Sequence, residues 1–282
     1  MEKASKPCLL CGTSEKEPLI QLGEWKVYRC RQCGLGALEP RPSAAELDSL
    51  YRNSYFVTRY DEGVAPGSDA MRKRLSWEKH RIRFFRPFLK QGHILDIGSG
   101  RGYFLLACKE QGYKVEGFDV SEDAAEYVRN TLKIPVATGA IEGAPFKEES
   151  FDLITIWHAL EHVENPRSYL ENAHRWLKPG GLLVVDVPNY LSTDALKYGE
   201  VWDGWSLPYH FYHFTPETLD KLLAQQGFTV IRRKTYHSEW VKNRLRQIPV
   251  LRLFARLIAK MYTGTSYAVV ARKNDFPAKV DQ

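Results

Sequence analysis

No apolar run among the 282 residues approaches the roughly 20 needed to cross a bilayer, which argues against a helical membrane protein. The stretch Met1-Glu2-Lys3-Ala4-Ser5-Lys6-Pro7 contains no apolar block, so no secretory signal is expected and the chain reads as cytoplasmic. Internal repeats and low-complexity tracts are missing, which excludes repeat arrays and disordered linkers. The dinucleotide spacing GxGxxG is missing too. The glycines of a glycine-rich loop stand at 98, 100 and 102, a GxGxG, and this argues against a nicotinamide cofactor. Cysteine is scarce, with five in all, and four of them are spaced for a metal ion and not for disulfides.

What is present fits one globular α/β domain with a small appendage. Hydrophobic residues make up 44%, an ordinary share for a packed core. The net charge of +6 is uneven: Arg232–Lys260 carries +8 and the remainder sums to −2. The basicity belongs to one segment and does not describe a general nucleic-acid-binding surface.

Residues 1–40 read as a separate unit with its own core. Cys8-Leu9-Leu10-Cys11-Gly12 and Cys30-Arg31-Gln32-Cys33-Gly34 are two C-x2-C knuckles 18 residues apart, with a strand over Trp25–Arg29 between them. Two knuckles place four thiolates around one tetrahedral ion. No ligand position is left open, so Cys8, Cys11, Cys30 and Cys33 predict a structural Zn2+ in a small N-terminal zinc ribbon. A unit so small and so poor in apolar residues needs the ion to fold. Residues 41–92 read as a helical linker or lid. Ser43-Ala44-Ala45-Glu46 is a capping box opening a short helix to about Tyr51. A longer helix, capped by Ser68 or Asp69, is expected to run to about Lys90 with Trp77, Ile82, Phe85 and Phe88 inward.

From 93 to 273 strand and helix patterns alternate, with a tail from 274. His93–Ile97 is a strand, followed by the glycine loop and a helix over Tyr103–Gln111. Lys114–Asp119 is a second strand ending in an acid, and a helix runs from Ser121 to about Leu132. Strands are expected over Ile134–Thr138, Ser150–Trp157 and Leu182–Val187, the last preceded by a turn at Lys178-Pro179-Gly180-Gly181. Helices are expected over Pro166–Leu177 and from Thr215 to about Gln226. Phe228–Arg233 and Ser266–Arg272 are the last strands, separated by a helical stretch over 239–261 broken at Pro249. Residues 189–214 show no regular pattern. Eight of these 26 are aromatic against 12% for the chain, which marks a functional insertion on the substrate side.

The run Asp96-Ile97-Gly98-Ser99-Gly100-Arg101-Gly102, the strand-end acid Asp119 and the phrase Leu177-Lys178-Pro179-Gly180-Gly181 resemble the class I S-adenosylmethionine-dependent methyltransferases over about residues 90–235. The cysteine unit, Pro40-Arg41-Pro42-Ser43 and the Pro208–Thr215 phrase resemble bacterial small-molecule methyltransferases that combine these parts. The resemblance implies an α/β fold, a Rossmann-like sheet with helices on both faces, and S-adenosylmethionine as cofactor. It implies that Asp96, Gly98, Ser99, Gly100 and Gly102 wrap the methionine part and that Asp119, with Val120 beside it, holds the ribose. Ala140 stands where many relatives carry an acid, so the Ile141 backbone is the expected adenine partner. Trp157 would face the methyl group.

Methyl transfer from a sulfonium is an in-line displacement, in which the protein positions the acceptor and often removes its proton. His158, His210 and His213 fall where an acceptor could reach, and histidine suits a base working near neutral pH. The alternative is that these imidazoles fix loop backbone. His158, Glu161 and His162 lie at i, i+3, i+4 and raise the question of a second metal, since some methyltransferases of ubiquinone and small-RNA pathways hold a divalent ion with a related arrangement. The expected reaction is methylation of a small molecule, first on a hydroxyl oxygen, with sugar carbon or amine behind it. The alternatives are an RNA methyltransferase gripping RNA with its ribbon, and a cofactor-binding protein without turnover. Nucleic acid is disfavoured because residues 1–40 carry a net charge of only +1. The apolar positions of 250–261 recur at helical spacing beside Arg252, Arg256 and Lys260. They are expected to pack on the domain, with weak contact to an anionic membrane as the alternative.

Overall fold

The computed structural model describes residues 6–43, 46 and 64–275. Three short antiparallel strands come first: β1 (Lys16–Leu22), β2 (Trp25–Cys30) and β3 (Gly36–Leu38). The capping box is formed, with Ser43 N donating to Glu46 Oε2 at 2.7 Å and Glu46 N donating to Ser43 Oγ at 3.3 Å. The helix expected behind it, to about Tyr51, lies outside the described residues. Helix α1 (Asp69–Phe85) starts at Ser68, whose Oγ accepts from Met71 N at 3.1 Å. It ends five residues before Lys90, and its inward face is Met71, Leu75, Ile82, Phe84 and Phe85. Trp77 and Phe88, expected inward, are 50% and 40% exposed.

The main sheet is built from β4 (His93–Ile97), β5 (Lys114–Asp119), β6 (Val136–Thr138), β7 (Phe151–Trp157), β8 (Leu177–Pro188), β10 (Phe228–His237) and β11 (Thr263–Lys273). Helices α2 (Tyr103–Glu110), α3 (Glu122–Tyr127), α4 (Pro166–Trp176) and α6 (Pro216–Gln225) connect them. The strand order is β10-β11-β8-β7-β4-β5-β6, with β4 to β8 parallel and β11 antiparallel to both its neighbours. Because β5 and β7 flank β4, the order reverses at β4, and the carboxyl ends there open a crevice for a ligand. The expected turn at Lys178–Gly181 is instead a bulge within β8: Leu177 pairs with Phe151 and Leu182 with Leu153.

Alternation along the strands supplies two cores. Leu95, Ile97, Ile154, Ile156, Leu183 and Val185 pack on one face against Leu170 and Trp176 of α4 and Leu219, Leu222 and Leu223 of α6. Ile94, Leu153, Val184 and Val270 face the other way, against Phe85 of α1 and Phe104, Leu105 and Cys108 of α2.

The insertion 189–214 is more ordered than its sequence suggests. It holds α5 (Thr193–Tyr198), started by Ser192 Oγ, and the two-residue strand β9 (Tyr212–His213). β9 pairs with β3, making a four-stranded sheet β1-β2-β3-β9 out of two distant parts of the chain. The cysteine unit therefore has no separate core. Leu10, Leu35 and Leu38 belong to the cluster built on α4 and α6. Arg167 donates twice to Leu9 O, at 3.0 and 2.7 Å, and Gln225 Nε2 donates to Leu10 O at 3.0 Å. The physical reason is size: so short a sheet cannot bury both its faces in itself, so it borrows the helices of the larger domain.

Between β10 and β11 lie α7 (Glu239–Arg246) and α8 (Ala255–Ala259), separated near Pro249 as expected. The expected packing of the apolar residues in 250–261 is largely absent: Val250, Leu253, Phe254, Leu257 and Met261 are exposed, and Ile258 alone of the six is half-buried. Ala255 and Ala259 are the residues that face the domain. No helix among the described residues is long and apolar enough to cross a membrane.

Candidate active site

A cavity of about 880 Å³ opens at the carboxyl ends of β4, β5 and β7, where the strand order reverses. Its size is within the range of ligand pockets and leaves room for a cofactor beside an acceptor. Asp96, Gly98, Ser99, Gly100, Gly102, Asp119, Val120, Ile141 and Trp157 line it, all of them expected from the sequence.

The loop after β4 is held by short local contacts. Gly98 has φ +78°, and a Cβ there would stand 2.5 Å from the Cβ of Ala159, so no other residue fits without displacing the segment that follows β7. Asp96 is buried at the end of β4 and accepts from Thr155 Oγ1 at 2.5 Å, its neighbour in the β4–β7 register. Burial pushes its carboxyl up to about 7, against the lowering effect of the Thr155 hydrogen bond. Asp119 ends β5 and braces the loop: Gly100 N donates to its Oδ2 at 2.7 Å and Ser121 N to its Oδ1 at 2.9 Å. Burial raises its pKa, and these backbone donors work the other way. Each oxygen keeps a lone pair that a diol could use.

These groups fit S-adenosylmethionine. Asp119 can accept from ribose hydroxyls, and Ser99 Oγ and Trp157 Nε1 are buried at the cavity with no partner among the described residues. α1 adds three charges that were not expected at the cavity, Arg74, Glu78 and Arg81. Arg81 lies 5.0 Å over the Trp157 ring and donates to Glu78 Oε2 at 3.0 Å. Two cations against one acid leave this wall of the cavity with a net positive charge, which suits a carboxylate such as that of a methionyl group. Their spacing at i, i+4 and i+7 was available as a signal, because it puts them on one helical face.

Beyond Trp157 the chain turns sharply, and His158 takes φ +52°. Its N–H donates to Asp186 O at 2.9 Å. Its imidazole is 38% exposed and sits between two buried carboxylates, with Nδ1 3.4 Å from Glu161 Oε1 and Nε2 3.8 Å from Asp186 Oδ2. Enclosure opposes protonation of this ring, but the two carboxylates outweigh it and hold its pKa above the ordinary histidine value. Asp186 was not expected. A lone acid in the apolar run Leu182–Val187 was the available sign.

His210 also lines the cavity, on the insertion that roofs it with Asp203, Gly204 and Phe211. Its Nδ1 donates to Gly204 O at 2.9 Å, and His162 Nδ1 donates to Tyr209 O at 3.0 Å. Burial, and then the neighbouring His162 and His213, hold the His210 pKa well below the ordinary value, so the ring is neutral. One ligand atom from each of Glu161, His162 and His210 lies within 4.8 Å of the other two. Both oxygens of the fully buried Glu161 carboxylate lack a hydrogen-bond partner among the described residues. The donor set that converges is thus Glu161, His162 and His210, in place of the expected His158, Glu161 and His162.

His213 corrects another expectation. It does not line the cavity. As part of β9 it pairs with Gly36, its ring lies 5.2 Å from that of Trp205, and burial pushes its pKa down to about 3. Pairing to the small sheet decides its direction, which no local pattern in Pro208–Thr215 reveals.

The four expected thiols do come together. Cys8 and Cys33 sulfurs are 3.5 Å apart, as are those of Cys11 and Cys30, and all four lie within 4.8 Å of one another. The fifth, Cys108, is a buried residue of α2 and lies apart from them.

A family described as "Methyltransferase domain" matches residues 70–233. The ubiquinone biosynthesis O-methyltransferase of Coxiella burnetii is 34% identical over 106 residues, which is 36% of this chain and 45% of that protein. The protein of the same name from Ruegeria pomeroyi is 31% identical over 163 residues, covering 54% and 65%. The chain spans about half the length of the first curated relatives it matches. The crystal structure of a SAM dependent methyltransferase from Archaeoglobus fulgidus superposes with a TM-score of 0.54 at 25% identity, covering 71% of this chain and 94% of that one.

Proposed function

Because this chain belongs to the class I S-adenosylmethionine-dependent methyltransferases, we propose that it methylates a hydroxyl oxygen of a small-molecule acceptor and that His158 receives the acceptor's proton. The bound cofactor supplies an electrophilic methyl carbon on sulfur. The protein's part is positioning and proton removal. Asp119, Ser99 and the α1 arginines hold the cofactor along the glycine loop, and the roof 189–214 holds the acceptor over Trp157 and His158.

The observation that carries this reading is the placement of His158 between Glu161 and Asp186 at the open end of β7. An imidazole so placed takes a proton from a hydroxyl, and the two carboxylates stabilise the imidazolium that results. Relatives named as O-methyltransferases support oxygen as the acceptor atom. The test is incubation of the full chain with cell extract and methyl-labelled cofactor. Label in a small-molecule methyl ether is expected. Label in RNA or on carbon would replace the acceptor class.

A second reading is favoured by Glu161, whose buried carboxylate lies beside two imidazoles, His162 and His210, each held by a backbone carbonyl. Such a set suits a divalent cation, which would lower the pKa of an acceptor hydroxyl. Activity that rises on adding a divalent metal to protein whose zinc content is unchanged favours this reading; activity indifferent to added metal favours proton transfer to His158. The Cys8-Cys11-Cys30-Cys33 cluster is assigned to a structural zinc ion, because four sulfurs converge and leave no ligand position open.

A further inference from the structure

The helical excursion between β10 and β11 presents an apolar ridge to solvent at the cavity's end of the sheet. It returns to the sheet at Thr263; Thr265 lines the cavity and Ser266 pairs with Pro188 at the carboxyl end of β8. Ala255 and Ala259 face the domain. At 3.6 residues per turn the side of α8 opposite them holds Leu257, and Leu253 and Met261 stand just outside its two ends; the three are 79%, 65% and 82% exposed in the order Leu253, Leu257, Met261. Val250 and Phe254 are exposed beside them.

A second exposed set, Leu191, Leu196, Tyr198 and Val201, lies on and around α5. α5 packs on α7: Ser238 Oγ donates to Asp194 Oδ1, and Lys197 Nζ lies 5.4 Å from the Trp240 ring centre. With Ile248 and Tyr262, eleven of the fourteen exposed large apolar side chains among the described residues fall in the excursion and around α5. Such concentration in two segments joined through α7 is unlike the scatter normal for a surface.

Cations accompany the ridge. Arg252, Arg256 and Lys260 recur every four residues along one flank of the ridge, and all are exposed. None of them has an ion-pair partner among the described residues, and the one acid of the excursion, Glu239, is bonded to Lys242 and His237. An apolar ridge flanked by cations suits the boundary of an anionic bilayer. The leucines would enter the acyl edge while the long basic side chains reach up to lipid phosphates.

We propose that residues 250–261, with α5 beside them, dock the protein on an anionic lipid surface with the cavity mouth close to the membrane. The inference does not depend on the identity of the methyl acceptor. The experiment is co-sedimentation of the full chain with vesicles of phosphatidylcholine, with and without phosphatidylglycerol, at low salt. Sedimentation with the anionic vesicles alone is expected, with release at high salt. Arg252→Glu plus Arg256→Glu should weaken it by about tenfold or more. Leu257→Ser plus Met261→Ser should weaken it comparably with the charge unchanged, and both pairs should leave cofactor binding as it was. No sedimentation at low salt, or equal sedimentation with neutral vesicles, overturns the proposal. So does concentration-dependent self-association without vesicle binding, which would make this face a contact between two copies of the chain.

Discussion

Gly36 and His213 face one another across the strand pair that joins β3 to β9. A Cβ on Gly36 would lie 2.8 Å from the Cβ of His213 and 3.3 Å from its carbonyl oxygen. Both neighbours belong to a strand and cannot swing aside. Gly36→Ala should therefore part β3 from β9 and lower stability by about 1–3 kcal/mol. Denaturant unfolding reads this directly, and an unchanged midpoint would mean that the joint yields freely.

The shared core changes what metal loss should do. Cys30→Ser removes one of four converging thiols, and the chain that follows it carries Leu35 and Leu38 into the core of the larger domain. Freshly purified protein should hold one zinc per chain. Both Cys30→Ser and prolonged chelation should lower the melting temperature of the whole chain in a single transition. Two separated transitions, the upper one unshifted, would show that the cysteine unit melts on its own.

Asp119→Ala removes the acceptor expected to meet the ribose and also the brace on Gly100 N. Cofactor affinity measured by calorimetry should fall by about 1.5–3 kcal/mol, and Asp119→Asn should fall less because it keeps one acceptor oxygen. Equal affinity for Asp119→Ala and the parent would remove this residue from the site.

His158→Ala should lower kcat by roughly 10²–10⁴-fold with cofactor affinity little changed, the pattern of a lost proton acceptor. His210→Ala should act mainly on acceptor KM if the ring only shapes the roof, and on kcat if it holds a metal. His213→Gln should leave kcat near the parent value and act on stability, since the side chain stands outside the cavity.

Asp96 makes stability depend on pH. Its folded pKa, about 7, lies above the ordinary 3.8. The folded protein keeps a proton that the unfolded chain releases as pH rises from about 4 to 7, so this group lowers stability across that window. In cofactor-free protein, Asp96→Asn should flatten the decline and be the more stable chain at pH 8 by about 2–4 kcal/mol. Melting curves at pH 5 and pH 8 check the sign.

The parallel strands and the glycine loop were legible because their signals are local: an apolar run, a terminal acid, glycines at fixed steps. The residues that the family resemblance gave to the cofactor line the cavity for the same reason, since they sit at the ends of those strands. What stayed hidden depends on distant pairing. β9 has two residues, and only its partner β3 makes it a strand. That pairing turns His213 away from the cavity while His210 lines it. β1, with Pro18 in Lys16–Leu22 and no clean alternation, gave no strand signal, and the aromatic density of 189–214 masked the cap and helix at Ser192–Tyr198. The exposed ridge of 250–261 defeated the periodicity argument in another way. Helical spacing of apolar residues gives a stripe but not what the stripe meets.

Tyr212 and His213 end the roof of the cavity and also complete the small sheet begun by Lys16. Any exchange of residues 189–214 between relatives, whether by recombination or by design, would orphan the edge of β3 unless residues 16–38 travelled with it. Roof and cysteine unit thus form one heritable cassette split across the gene. Hybrid chains should fold when both pieces come from one parent and fail when they come from two.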